Sequence, residues 1–290
     1  METVQFEPMS IGRIFDLTFN LYRRNFLRFI TIVAIIEVPV GLISIVSTSS
    51  VSRAFARRPA PSFVQRETSD YRGTTAAPAQ YAPVRPSFPF PAATLLASLF
   101  ALVGGMLCQA ALIKNISETY LGHEVTVGET YRFVLPKLLT LLGASLLVGL
   151  VKTLGLMLLV VPGIIFGLWF ALTISSIVVE DQKILSAMSR SKKLVAGNMG
   201  KVFLVGLLLF LIGIAIMTAF AWPVRVAGAL LSVGNVRVVP LLSGLASIAS
   251  GVLVAPIGAA AYVLLYYDLR IRKEGFDLQM LAQSMGSDQR

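Results

Sequence analysis

Long apolar runs separated by short polar ones dominate this chain, and six of them read as membrane-spanning helices. They lie at 27–46, 90–113, 138–161, 163–179, 202–221 and 241–267. A helix rises ~1.5 Å per residue, so about 18 apolar residues or more suffice to cross the hydrocarbon core of a bilayer. Spans three and four are separated by little more than Pro162-Gly163, which predicts a tight turn.

Ahead of each odd-numbered span the pattern changes from uniformly apolar to one-sided. The first such segment places Ile11, Ile14, Phe15, Thr18 and Tyr22 on one helical face, with Arg13, Asp16, Asn20 and Arg23 opposite. The second opens at Thr126 with Glu129 three residues on, a capping-box spacing, and then aligns Val127, Tyr131, Val134 and Leu138. The third begins near Asp181 and sets Ile184, Met188 and Val195 against Lys183, Arg190 and Lys193. Such faces predict helices lying in the membrane interface, apolar side toward the acyl chains. The expected fold is therefore all-α: a polytopic helical bundle forming one membrane domain over 1–290, built as three hairpins, each preceded by an amphipathic interfacial helix.

Two segments depart from this plan. Residues 47–89 are rich in Pro, Ala, Ser, Thr and Arg and lack apolar surface to offset the entropy of ordering, which predicts a disordered external loop. Its Arg53, Arg57 and Arg58 could rest on headgroups, but a solvated linker is the simpler expectation. Residues 279–290 read as a flexible tail.

Composition supports the membrane reading. The chain is 56% hydrophobic and 14% charged, where soluble domains average about 45–50% and about 25%. Lys and Arg number 25 against 15 Asp and Glu. In a soluble protein that excess would raise nucleic acid as a partner. No basic module interleaved with aromatics is present, so no nucleic acid is expected; the partners expected are the bilayer and its anionic headgroups. With the N-terminus inside, sixteen basic residues fall on the inner side and eight outside, with Lys152 within a span. Six of those eight lie in 47–89, a long loop that counts for less. The expected placement is the bacterial plasma membrane, with both termini cytoplasmic. No cleavable signal peptide is expected, because Glu2, Glu7 and Asp16 precede the first apolar run. Trp222, Tyr266 and Tyr267 fall near span ends, where amphipathic rings favour the interface, and Trp169 falls mid-span. The single cysteine, Cys108, excludes an intrachain disulfide.

Polar residues within the spans are the candidate functional positions. Glu37 lies near the middle of span one and Lys152 past the middle of span three. A charge at the bilayer centre costs about 2.5–3.5 kcal/mol on insertion scales, so such groups turn inward toward partners. Counted from the same face, they sit ~15 Å and ~21 Å deep, a gap a lysine stem can close. A buried pair is one expectation; a protonated Glu37 with Lys152 reaching the outer surface is the other. Ser247, Gly251, Ala255 and Ala259 recur every four residues in span six, and Gly163 and Gly167 do so in span four. That spacing permits close helix packing. Pro39 and Pro256 each remove a backbone donor and predict kinks.

Candidate chemistry is sparse. His123, the single histidine, has no ligand-spaced cysteines or carboxylates around it, so no metal is expected. Glu180 and Asp181 are expected to cap the following helix. There is no Gly-rich phosphate loop, nucleophile elbow or paired-histidine motif, so neither cofactor nor enzyme activity is expected.

Three stretches carry a family resemblance: SIGRIFDLTFNLYRRNF (10–26), VPGIIFGLWFALTISSIVVEDQKILSAMSRSKKLVAGNMGKVF (161–203) and YYDLRIRKEGFDL (266–278). They resemble a bacterial integral membrane family similar to the membrane domain of glycerophosphoryl diester phosphodiesterase, over nearly the whole chain except 47–89. The resemblance implies a multi-spanning helical domain. The catalytic part of such enzymes is a separate soluble barrel with His and acidic metal ligands, and no residue here corresponds to it.

The function expected is a non-catalytic module that organises, anchors or senses lipid, with Arg190, Lys192 and Lys193 resting on the anionic inner leaflet. A protein partner or a second copy of the chain stays open. The alternative is a permease or flippase-like transporter for a lipid or small amphiphile, drawing on the repeat, the prolines, Glu37 and Lys152.

Overall fold

The computed structural model describes residues 8–56, 92–231 and 238–287. The regular structure among the described residues is all helical, with no strand. Residues 57–89 of the loop expected at 47–89, and the last residues of the tail, 288–290, lie outside them.

The chain forms α1 (Ile11–Arg24), α2 (Phe26–Ala56), α3 (Ala92–Tyr120), α4 (Val127–Val134), α5 (Leu138–Leu158), α6 (Val160–Trp169), α7 (Thr173–Glu180), α8 (Ile184–Val195), α9 (Met199–Leu231) and α10 (Val238–Ser287). A short 3₁₀ turn, Leu135–Lys137, joins α4 to α5. Six stretches are long and apolar enough to cross a membrane: Phe26–Ile45, Leu95–Tyr120, Val127–Leu158, Val160–Glu180, Met199–Gly228 and Leu241–Gly275. They pair as the repeat predicts, α2 with α3, α5 with α6 and α9 with α10. Helix α2 continues to Ala56, so residues 47–56, expected in the loop, prolong the helix of the first span. Likewise α10 runs on to Ser287 and takes in most of the expected tail.

Burial sorts the spans. Half of the α10 window (50%) is covered by protein against 11% of α9, so α10 is the central post and α9 a lipid-facing flank. Helix α10 packs on α1, α2, α3, α8 and α9 and supplies Ala260, Val263, Leu264, Leu265 and Tyr266 to the core. Outward, Leu27, Leu139, Met157 and Phe210 are broadly exposed, as suits side chains whose solvent is lipid.

The three amphipathic helices form where the one-sided pattern placed them. Ser10 caps α1 by accepting from the Arg13 amide. Thr126 and Glu129 complete the capping box of α4. The surroundings of their apolar faces differ from expectation. Helix α1 buries Ile14 and Thr18, α4 buries Thr130 and Val134, and α8 buries Ala187, Met188, Ser191, Leu194 and Val195. These faces pack on the spans, chiefly α1 on α10, α4 on α3 and α8 on α7 and α5. The apolar stripes are therefore covered by protein rather than by acyl chains. An amphipathic period reports that a face is apolar, not which apolar medium covers it.

The turn between spans three and four lies one step earlier than expected. Leu159 alone adopts an extended conformation (φ −162°, ψ 148°), and Pro162 and Gly163 fall within the first turn of α6. Proline is tolerated there because its missing N–H has no helical acceptor. Pro39 and Pro256 lie within continuous helices, as does Pro223. The helix of span four is interrupted at Phe170–Leu172, between α6 and α7, where no proline stands.

Candidate functional site

Antiparallel hairpins bring α1, α4, α8 and the start of α9 to the same end of the bundle as the last turns of α7 and of span six. Most of the charged contacts among the described residues collect there.

The first cluster centres on Asp268, which is fully buried. Its carboxylate accepts from the Met9 amide at 2.6 Å, from the Lys201 ammonium, and from Arg272 Nε at 3.1 Å. The Met9 carbonyl in turn accepts from Lys201 Nζ at 2.6 Å and Arg272 Nη2 at 2.9 Å. Residues 259 positions apart are thereby tied to the base of α9. A buried carboxylate needs such partners, because an unpaired charge there costs several kcal/mol.

The second cluster centres on Arg190 of α8. Its Nε and Nη2 donate to Glu180 at 3.0 and 2.9 Å, and Nη2 also reaches Glu274. Tyr266 donates its hydroxyl to Glu180, and Arg270 Nε donates to Glu274 at 2.6 Å. The two-pronged contact with Glu180 raises the guanidinium pKa further above its ordinary range. Arg190, expected to touch lipid, is thus committed to protein. Glu180 and Asp181, expected to cap α8, do neither: Lys183 occupies the cap position without a side-chain hydrogen bond. Asp181 instead ends α7 in the left-handed region (φ 54°) and pairs with Lys137 at 2.6 Å.

The third relationship spans the interruption in span four. Ser191 Oγ donates to the Trp169 carbonyl at 2.7 Å and accepts from the Leu172 amide at 3.1 Å. Around it the ladder tightens to i→i−3 bonds, Ala171 to Leu168 and Thr173 to Phe170, both 3.2 Å. A side chain inserted between backbone groups is one of the few physical causes of a helix break without proline. Lys192 adds a cation–π contact, its Nζ 4.3 Å from the Trp169 ring. Three consecutive residues of α8 thus hold α6 and α7 together.

Tyr266 and Tyr267, expected at the interface, are 0% and 7% exposed, and Tyr267 shares a 2.6 Å hydrogen bond with Ser117 of α3. Trp222 is 68% exposed, as an interfacial ring would be. Burying a tyrosine is affordable where its hydroxyl finds a partner. His123 is exposed and pairs with Glu118, which also binds Lys114. No group of three or more His, Cys, Asp or Glu side chains that could hold a metal occurs among the described residues.

The structure does not bring Glu37 and Lys152 together. Both are half-buried, but Glu37 lies near Cys108 of α3, and the Lys152 stem runs along Gly167 of α6. Depth along parallel spans set their heights; rotation about each helix axis set their directions, and no ion pair joins them.

Close packing uses part of the small-residue set the spacing suggested, together with glycines outside it. A methyl at Gly163 would stand 2.5 Å from Leu156, so Gly163 does permit the tight α5–α6 hairpin. Gly167 meets only the Lys152 stem, at 3.7 Å. A methyl at Gly251 would meet nothing within 4 Å, and Ser247 is exposed. Ala259 is buried, and Ala255 packs against the same core. Further tight crossings lie at Gly41 against Ile248, Gly244 against Ile45, Gly143 against Ile184 and Gly104 against Ile36. Gly41 and Gly244 lock α2 across α10, and no four-residue repeat within one helix marks them.

These features define a helical membrane protein with six candidate spans and a polar, cross-linked end. Over 99 residues the chain is 35% identical to a UPF0259 membrane protein of Pectobacterium carotovorum subsp. carotovorum (strain PC1), a match that covers 34% of this chain. It spans 40% of that protein's length. No protein-family model matches the chain, and no solved structure matches it.

Proposed function

We propose that this chain is a non-catalytic module of the bacterial plasma membrane that organises or senses anionic lipid at its polar end, with both termini cytoplasmic. One observation carries the reading. Glu118, Glu180, Asp181, Asp268 and Glu274 are all held by basic partners within the protein. The outward faces of α1, α4 and α8 keep Arg23, Arg24, Arg132, Lys183, Lys192 and Lys193 exposed. Each cation near an anionic surface contributes about 1 kcal/mol, falling off within a Debye length.

A resemblance to the membrane domain of glycerophosphoryl diester phosphodiesterases, carried by residues 10–26, 161–203 and 266–278, belongs to this proposal and concerns the membrane part alone. Because α8 buries its apolar face, the full chain is the object to test. Reconstituted into nanodiscs of phosphatidylglycerol and phosphatidylcholine, it should enrich phosphatidylglycerol in its lipid shell, less so at high salt. Equal proportions of the two lipids in the shell and in the bulk would refute it.

A second reading, a permease or flippase-like transporter for a lipid or small amphiphile, draws on the interrupted span four. Discontinuous helices line the sites of many transporters. Scrambling of a fluorescent phospholipid in proteoliposomes, abolished on disturbing the interruption, would favour it over the first.

A further inference from the structure

We propose that the groove on the outer face of α1, lined by Phe19, Asn20, Arg23 and Arg24, is a binding site for the phosphate of one anionic phospholipid. The inference rests on the lipid-reading role above and locates it.

The groove has a volume of about 460 Å³, enough for a headgroup phosphate and the start of its glycerol. Helix α1 cannot turn this face inward, because Ile14 and Thr18 on the opposite side are fully buried. Arg23 and Arg24 have no carboxylate partner among the described residues, unlike Arg190, Arg270 and Arg272. Two guanidinium groups and a side-chain amide form a donor set matched to phosphate oxygens, which arginine engages through paired N–H groups. Phe19 is 45% exposed and supplies an apolar wall.

Depth selects lipid as the occupant. The span of α2 begins at Phe26, two residues past Arg24, and Leu27 is 78% exposed. Arg24 therefore sits at the level where headgroups meet acyl chains, and Leu27 lies on the acyl side. Two cations in the last turn also suit the negative end of the α1 dipole. That accounts for the charge but not for an aromatic wall and an amide beside it.

The test measures phosphatidylglycerol retained by the full chain in mixed phosphatidylglycerol–phosphatidylcholine nanodiscs, by native mass spectrometry after stepwise delipidation. The wild type is expected to hold about one phosphatidylglycerol that millimolar inorganic phosphate does not displace, and Arg23→Gln with Arg24→Gln to lose it about tenfold more readily. Arg23→Lys with Arg24→Lys keeps the charge without the paired donors and should fall between, which serves if the glutamine variant does not fold. Arg225→Gln, an exposed cation at the far end of α9, should leave that lipid in place. Retention in the Arg23 and Arg24 variants equal to wild type, or equal loss in Arg225→Gln, would overturn this site while leaving the broader reading intact. Displacement by inorganic phosphate would make the ligand free phosphate and overturn the lipid assignment. Absence of any anionic preference in the wild type would sink both.

Discussion

Ser191 of α8 donates to the carbonyl of Trp169 at 2.7 Å while accepting from the amide three residues further on, so one hydroxyl stands in for the missing rungs of span four. The serine is fully buried, and a lipid-embedded backbone has no water to fall back on. A helix outside the spans is therefore part of the continuity of one of them.

Replacing Ser191 by Ala should leave the Leu172 amide and the Trp169 carbonyl unsatisfied, at a cost of about 1–3 kcal/mol. Thermal unfolding in detergent should show a lower midpoint, and Ser191→Thr should recover part of the loss. An unchanged midpoint in Ser191→Ala would mean that the break is satisfied otherwise.

Asp268→Ala should be more damaging. It strands the Lys201 ammonium and the Met9 amide, and removing one partner of a buried pair costs about 3–5 kcal/mol. Limited proteolysis should then cut near the N-terminus, where Met9 is released. Lys201→Met combined with Asp268→Leu, which removes both charges, is expected to be milder than Asp268→Ala; the reverse order would contradict this account.

Glycine substitutions separate the real helix crossings from the apparent ones. A Cβ at Gly41 would stand 2.3 Å from Ile248, so Gly41→Ala should destabilise the detergent-solubilised protein. Gly251→Ala meets open space and should be neutral or stabilising by up to about 1 kcal/mol through helix propensity. Equal effects at the two sites would show that the α2–α10 crossing adapts freely.

Glu37 and Lys152 are expected to act independently. Charge reversal at either should lower the folded yield, and Glu37→Lys with Lys152→Glu should be no better than the sum of the two. Rescue by the double swap would require a contact the structure does not contain.

The capping box at Thr126 and Glu129, the hairpin order and the three one-sided helices were all legible because each depends on neighbours within a few residues. The role of the YYDLRIRKEGFDL stretch was not. Tyr266, Asp268, Arg270, Arg272 and Glu274 look like a basic, membrane-flanking end, yet their partners are Glu180, Arg190, Met9 and Lys201. No local spacing announces a contact across 259 residues. The only hint was an acid among bases at the end of an apolar run.

The order of apolar runs by itself determined that this is a helical membrane protein of three hairpins, because lipid permits little else: a segment that long and that apolar must satisfy its own backbone. Which way each helix faces was decided only by packing. Rotation about an axis leaves composition and spacing unchanged, yet it turned Glu37 away from Lys152, paired Arg190 with Glu180 and Glu274, and left Arg23 and Arg24 exposed.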